Sequence, residues 1–332
     1  TRDTTERPEA IEIGAADVAT WWKVFEDPVL DSLVESAYQE NLDLRLAGIR
    51  ILQARAQLGV AVGNLYPQQQ SGSGSYGRIN LSENTANAPF ESAYSEYDIG
   101  FDAAWELDFW GKFRRANESA QADLMSSAFG LRTIQLGLIA DVASAYYLLL
   151  DYYERLAVSK RTLASRSETL NIIQQRFDKG IVPELDLNQA EIQLEIAAEA
   201  IPRYERFIAK TEHLLNVLLG RLPQKIPVGE GLKKQSPPPE IPTGLPSSLL
   251  ERRPDVVGAR YDLQAQNAQI GYAEALRFPA VSLTGLVGAA SNEVANVTND
   301  GGIWQAGAGL WGPLFEFGKN IRRVEVEEAK TK

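Results

Sequence analysis

One pattern occurs twice in this chain, and the duplication limits what it can fold into. Ala56-Gln57-Leu58-Gly59 is followed eight residues on by Pro67 and then by a Gly/Ser-rich alternating stretch. Ala268-Gln269-Ile270-Gly271 is followed, at the same spacing, by Pro279 and a second such stretch. Each copy closes on an aromatic residue and Gly-Lys, Trp110-Gly111-Lys112 and Phe317-Gly318-Lys319. An arginine pair lies just beyond, Arg114-Arg115 and Arg322-Arg323. A period of about 210 residues is far longer than a solenoid repeat. It marks duplication of a unit ordered helix, strand, strand, helix. Very long helical segments then accompany only two strands per unit.

The first helical segment runs from Val29 to Tyr66 without a proline, its apolar face including Leu30, Leu33, Val34, Leu42, Leu46, Ile49, Leu52 and Ala56. Pro67 ends it. Residues 116–178 hold no proline and two glycines; as one helix they span about 95 Å at ~1.5 Å per residue. Leu149, Leu156, Leu163, Leu170 and Phe177 fall seven apart. That step predicts coiled-coil packing with a left-handed supercoil. Gly180 and Pro183 make a turn, and a second helix over 184–219 carries its apolar residues at 3 and 4 spacing, with Pro202 expected to bend it. Residues 116–219 therefore read as an antiparallel coiled-coil hairpin with its tip at 178–186, the long arm of a first repeat covering 29–219. A polar segment, 1–28, precedes it, with Trp21, Trp22 and Phe25 as a docking cluster. A Pro/Gly-rich connection, 220–246 (with Pro237-Pro238-Pro239), leads to the second repeat, 247–332. This repeat reads as a helix, strands at 280–290 and 303–317 around a polar loop, and a helix from Lys319. The counterpart of the hairpin is absent, so the second repeat reads as truncated.

The strands of the first repeat are expected at 68–81 and 96–110, around a polar loop at 82–92. The second is the clearer. Tyr97, Ile99, Phe101, Ala103, Trp105, Leu107 and Phe109 occupy one face; Asp98, Asp102, Glu106 and Asp108 lie on the other. A soluble sheet would pack that apolar face on its own helices, but the helices use their stripes on each other. A membrane strand of about 9–11 residues, apolar outward and polar inward with aromatics near its ends, fits 97–109; the other three strands, rich in Gly and Ser, fit less well. Sheet meets lipid only as a closed barrel. Four strands fall short of the roughly eight a barrel needs, so several chains must contribute.

Composition closes off other functions. The net charge of −11 argues against nucleic acid. Without Cys there is no disulfide, thiol nucleophile or thiolate metal site. A single histidine, His213, leaves little scope for His-based catalysis and reads as a structural helix residue. No run of 18 apolar residues occurs, which excludes a transmembrane helix. No catalytic motif, phosphate loop or metal spacing is found, so no enzyme activity and no cofactor are expected.

Four strings carry a resemblance. Trp22-Lys23-Val24-Phe25 with Asp27-Pro28, followed by Asn41-Leu42-Asp43-Leu44, is the first. Trp105 to Lys112 is the second. Arg176-Phe177-Asp178 with Gly180-Ile181 and Leu185-Asp186-Leu187 is the third, and Leu245-Pro246-Ser247 with Leu249-Leu250 and Arg252-Arg253-Pro254-Asp255 the fourth. Together they span nearly the whole chain, which resembles the TolC-type outer-membrane efflux channels, in particular the drug-efflux lipoproteins. The resemblance implies an α+β membrane protein of the Gram-negative outer membrane. It implies a homotrimeric, twelve-stranded β-barrel with four strands per chain, continued by a long α-helical coiled-coil tunnel in the periplasm. It implies an exit duct fed by a periplasmic adaptor protein and an inner-membrane efflux pump. It also implies a lipidated N-terminal Cys, which this sequence does not contain.

The resemblance places an acidic constriction at the tunnel tip, at Asp186 with Asp178 and Glu184 nearby. By residue type alone, acids in the first turn after Pro183 complement the helix dipole. Lys179-Gly180-Ile181 matches the segment that contacts the adaptor and also reads as an ordinary glycine turn. Asp98, Asp102, Glu106 and Asp108 would line the barrel lumen; Tyr97, Ile99, Phe101, Ala103 and Trp105 would face outer-membrane lipid. The gate residues of the family lie on the absent hairpin. Two other functions fit parts of the pattern: a periplasmic coiled-coil scaffold or adaptor without a barrel, and a protein-secretion duct of the same architecture.

Overall fold

The computed structural model describes residues 20–81, 93–235 and 247–332. The segment before Thr20, the loop at 82–92, Pro237-Pro238-Pro239 and Leu245-Pro246 lie outside the described residues. The elements are α1 (Pro28–Glu40), α2 (Leu42–Gly63), β1 (Gln69–Asn80), β2 (Ala93–Leu107), α3 (Lys112–Asp178) and α4 (Glu184–Leu218). They continue with α5 (Pro254–Ala275), β3 (Ala280–Ser291), β4 (Gly302–Trp311) and α6 (Lys319–Lys330). The order helix, strand, strand, helix recurs, as α2-β1-β2-α3 and α5-β3-β4-α6.

The chain divides into two units, one of Thr1–Gly48 and Leu131–Leu249, the other of Ile49–Gly130 and Leu250–Lys332. The first is helical. Leu30, Leu149, Leu215, Leu219, Val142 and Tyr146 are fully buried in its core. An 18-residue window of α3 has mean hydropathy 1.4, with 44% of it buried. By composition it meets the criterion for a membrane span, contrary to the expectation from the sequence. Its apolarity is accounted for by core residues such as Leu138, Ile139 and Val142.

The helix expected from Val29 to Tyr66 is two helices. Asn41 separates them, with extended backbone at φ −61° and ψ 129°. Its N–H still bonds Ala37 O, while its side-chain oxygen accepts from Leu44 N at 3.0 Å. Its amide donates to Leu218 O at 2.8 Å. One side chain thus starts α2 and ties it to the end of α4. Asp27 does the same for α1, accepting from Val29 N and Leu30 N. A buried network forms on its other oxygen, which accepts from Tyr146 Oη at 3.0 Å and Gln235 Nε2 at 2.8 Å. Burial and the neighbouring Asp27 charge raise the Tyr146 hydroxyl pKa far above its usual value and that of Tyr147 to about 12.

The seven-residue stripe of α3 lies on its shielded side. Leu149 and Leu156 are buried, whereas Leu163, Leu170 and Phe177 are half-buried. On α4, Leu187, Ile208 and Leu215 are buried, and the helix continues through Pro202.

The second unit holds an antiparallel four-stranded sheet in the order β1-β2-β3-β4. β2 and β4 are shorter at their C-terminal ends than expected, stopping at Leu107 and Trp311. Beyond β4, Pro313 lacks an N–H for the ladder. Gly312 approaches so closely that an added Cβ would lie 2.5 Å from Pro279 Cα.

Candidate functional site: strand wall and helical tip

The register assembles two chemically opposite faces. Directly opposed residues of an antiparallel pair share a face. Phe101 pairs with Gly72 and Val287, and Val287 pairs with Trp304. Two positions along, Ala103 meets Gly285, which meets Ala306; two further, Trp105 meets Leu283, which meets Ala308. The apolar face therefore continues across β2, β3 and β4. Ile99, Phe101, Val287, Trp304 and Leu310 on this face are 55–80% exposed. Tyr97, Ile99, Phe101, Ala103 and Trp105 all lie on it, as expected. β3 adds Val281, Leu283 and Val287 and β4 adds Trp304 and Leu310, which the Gly- and Ala-rich composition of their sequences concealed.

The opposite face is polar on β1 and β2, whereas on β3 and β4 it carries Leu286, Ile303 and Trp311 beside Ser282, Thr284 and Gln305. Ser71 donates to Asp102 at 2.7 Å and Ser75 donates to Asp98, each across a register pair. Glu106 lies on the same face, opposite Ser282, with its carboxylate 2.5 Å from Lys112 Nζ. Asp108, by contrast, stands beyond β2, outside the strand in which the alternation put it. Its carboxylate accepts from Phe113 N at 3.0 Å and Arg114 N at 2.9 Å, capping α3. α3 consequently begins at Lys112 rather than 116.

Glycines let these strands approach closely. At Gly288 an added Cβ would lie 2.4 Å from Ile99 O, so only hydrogen fits there. The ring of Phe101 covers Gly72, an arrangement that shields a bare strand backbone.

The two strand-to-helix passages differ. In the first, Trp110 stacks on Phe278 with centroids 4.6 Å apart, and its indole N–H donates to Pro279 O at 2.7 Å. In the second, Gly318 precedes α6 and offers no side-chain cap, and Phe317 before it holds a left-handed φ of 50°. Leu314, Phe315 and Phe317 are almost wholly exposed.

In the first unit, the helical tip is a glycine-terminated turn. Gly180, at φ 71°, donates to Phe177 O at 2.8 Å, and Ile181 N donates to Arg176 O at 2.9 Å. This pair of bonds satisfies the last carbonyls of α3 and requires the left-handed conformation that glycine adopts without strain. Asp178, Lys179, Gly180, Ile181 and Glu184 are exposed. Asp178 accepts from Gln174 at 2.9 Å. Asp186 is half-buried and lines a groove with Arg166, Ile173, Arg176 and Gln189. Within one chain the three acids are not gathered onto one carboxylate cluster. Among the described residues no group of three or more His, Cys, Asp and Glu could hold a metal ion.

A two-faced antiparallel sheet joined to helices of this length defines the fold of outer-membrane channels. The outer-membrane channel OprN superposes with a TM-score of 0.87 at 29% identity, over 94% of this chain and 70% of that one. The Campylobacter jejuni CmeC channel gives 0.85 at 28%, over 94% and 67%. The chain belongs to the outer membrane efflux protein family, whose profile matches residues 33–221 and 245–332, and it is an outer-membrane protein. The toluene efflux pump outer membrane protein TtgC of Pseudomonas putida is 34% identical over 313 residues, 92% of this chain and 64% of its own length. The probable outer membrane lipoprotein SilC of Salmonella typhimurium is 29% identical over 312 residues, 93% of this chain and 66% of its own length. The chain thus spans slightly less than two thirds of these relatives.

Proposed function

We propose that this protein is the outer-membrane exit duct of a tripartite efflux pump, passively conducting drugs or other small solutes outward. The observation that carries this is the exposed apolar face, continuous over three strands and backed on β1 and β2 by Ser and acidic residues. In water such a face exposes apolar area without compensation; in a bilayer it is the outer wall of a barrel. Four strands per chain leave two open edges, and three copies close them into a twelve-stranded barrel. Tyr97, Ile99, Phe101, Ala103 and Trp105 then face lipid, while Asp98, Asp102 and Glu106 face the lumen.

The same reading assigns the tip. Asp186, with Asp178 and Glu184 beside it, forms the periplasmic constriction when three copies meet on an axis, where like charges favour cations. Lys179, Gly180 and Ile181 offer an exposed turn to a periplasmic adaptor, which links the duct to an inner-membrane pump. The protein acts as a channel and not as a catalyst.

The test is assembly. Full-length protein extracted in detergent is expected to have a trimer's mass and both helix and sheet circular-dichroism signals. A monodisperse monomer, soluble without detergent, would overturn the proposal.

A further inference from the structure

The duplicated motif gives each residue at the strand-to-helix junctions a counterpart, and the two copies differ in what covers them. In one copy the N-terminal part of α3 packs against α5. Arg115 crosses Gly271 so closely that a Cβ added there would lie 3.0 Å from its Cγ, Cδ and Nε. Gln269 donates to Ser119 at 2.8 Å, and Ala268 is buried. Trp110 stacks on Phe278 in the same seam.

The start of α6 repeats the start of α3. Gly111 and Gly318 share a φ of 81°. Arg115 N donates to Gly111 O at 2.8 Å, and Arg322 N donates to Gly318 O at 3.0 Å. Arg115 pairs with Glu118, and Arg322 with Glu325, each at 2.6 Å and three residues along. α2 likewise repeats α5, so Ala56, Gln57, Gly59 and Tyr66 stand where Ala268, Gln269, Gly271 and Phe278 do. Yet these four are exposed, and a Cβ on Gly59 would meet nothing within 4 Å. Arg322, Val326 and Phe317, the counterparts of Arg115, Ser119 and Trp110, are exposed as well. The sheet order explains why. β1 and β4 are its two edges, so α2 and α6, which adjoin them in sequence, belong to opposite edges of one chain. A second copy that brings its β4 beside β1 brings its α6 beside α2.

We propose that α6 of one copy packs across α2 of the next, as α3 packs across α5 within the chain. The Arg322 stem then crosses Gly59, Val326 lies beside Gln57, and the Phe317 ring stacks on Tyr66. The contact is head-to-tail, and its repetition closes a ring. The inference rests on copies joining through their open sheet edges, and it names the helical surfaces that then meet.

The geometry is close enough to lock. In the intrachain seam the Arg115 Cβ and a Cβ built on Gly271 lie within about 4.5 Å, inside disulfide reach. Full-length protein carrying both Gly59→Cys and Arg322→Cys is extracted in detergent, oxidised and read on a non-reducing gel. A covalent trimer is expected, because each chain is bonded to both neighbours. Either single variant joins at most two chains through its introduced thiol. The intrachain pair, Gly271→Cys with Arg115→Cys, is the control, expected to oxidise without a change in mass. Products no larger than those of the single variants, with the control oxidised and a trimer's native mass retained, sink this inference alone. A monomer's native mass in the wild type sinks the channel reading with it. If the double variant does not assemble, or the control stays reduced, Gly59→Leu decides. It is expected to lower the trimer-to-monomer ratio by roughly fivefold or more. Gly48→Leu, on the same helix, is expected to leave the ratio unchanged, since its counterpart Arg260 is exposed. Equal ratios in Gly59→Leu and the wild type overturn the inference.

Discussion

The helical unit and the sheet unit treat their apolar residues in opposite ways. In the helical unit, Leu30, Val142, Tyr146, Leu149 and Leu215 are at or near zero exposure, and the buried Asp27 is matched by Tyr146 and Gln235. In the sheet unit no residue of any strand is buried. Most of its aromatic and branched strand side chains stand in one continuous face, with Leu286, Ile303 and Trp311 on the other. One unit buries a core of its own, although Ile192, Ile196 and Val217 stand exposed on it; the strands of the other carry their apolar residues at the surface. That contrast separates a framework from a wall, and it can be tested residue by residue.

The largest effect belongs to the closed core. Leu149→Ala is expected to destabilise by about 2–5 kcal/mol, by the same amount in detergent and in a bilayer, because its neighbours are all protein. Val287→Ala, at an exposed sheet position, is expected to change stability in detergent by less than about 0.5 kcal/mol. Chemical denaturation followed by circular dichroism reads both, and equal losses would break the contrast.

Gly288→Ala comes next. Its added Cβ meets backbone, which cannot swing away, so a loss of about 1–3 kcal/mol is expected by overpacking. Ala289→Gly, one position along, provides the control, with a loss of about 1 kcal/mol or less expected. Asp108→Ala removes the α3 cap and is expected to cost about 1 kcal/mol, while Asp108→Asn, which keeps an accepting oxygen, costs less. The smallest effect is on the pH profile. The folded helical unit holds the Tyr146 and Tyr147 protons more tightly than the unfolded chain does. Their contribution is therefore fully present below pH 10 and is lost as pH rises toward 12. Tyr147→Phe should make the fall between pH 10 and 12 shallower in an alkaline denaturation series.

How much of this was legible in the sequence depended on side-chain contrast. β2 alternates aromatic residues with acids, so its period of two and its two faces could be read directly. β1, β3 and β4 are built from Gly, Ser, Ala and a few large residues, and a glycine has no face. Only the register shows that Val287 and Trp304 extend the surface begun by Phe101. The seven-residue spacing of α3 identified its shielded side correctly. The break at Asn41 was missed because the apolar spacing runs on through Leu42 and Leu46; an Asn placed three residues before Leu44 was the available sign of a cap. Asp108 was misplaced for a related reason. Strand alternation continues through it by composition, but a carboxylate four residues before the helix start binds the first free N–H groups more strongly than it suits a ladder position. At the tip, residue type indicated the glycine turn, and only the resemblance suggested more.

The central claim is that the Phe101 face of the sheet meets lipid and the Asp102 face does not. The direct measurement introduces arginine at these two adjacent positions, Phe101→Arg and Asp102→Arg, and follows assembly of full-length protein into lipid vesicles. Arginine near the midplane on a lipid-facing position costs roughly 2–4 kcal/mol, whereas a lumen position tolerates it. Phe101→Arg is therefore predicted to lose most membrane assembly while Asp102→Arg retains it. Equal assembly of the two variants, or greater loss from Asp102→Arg, would contradict the assignment.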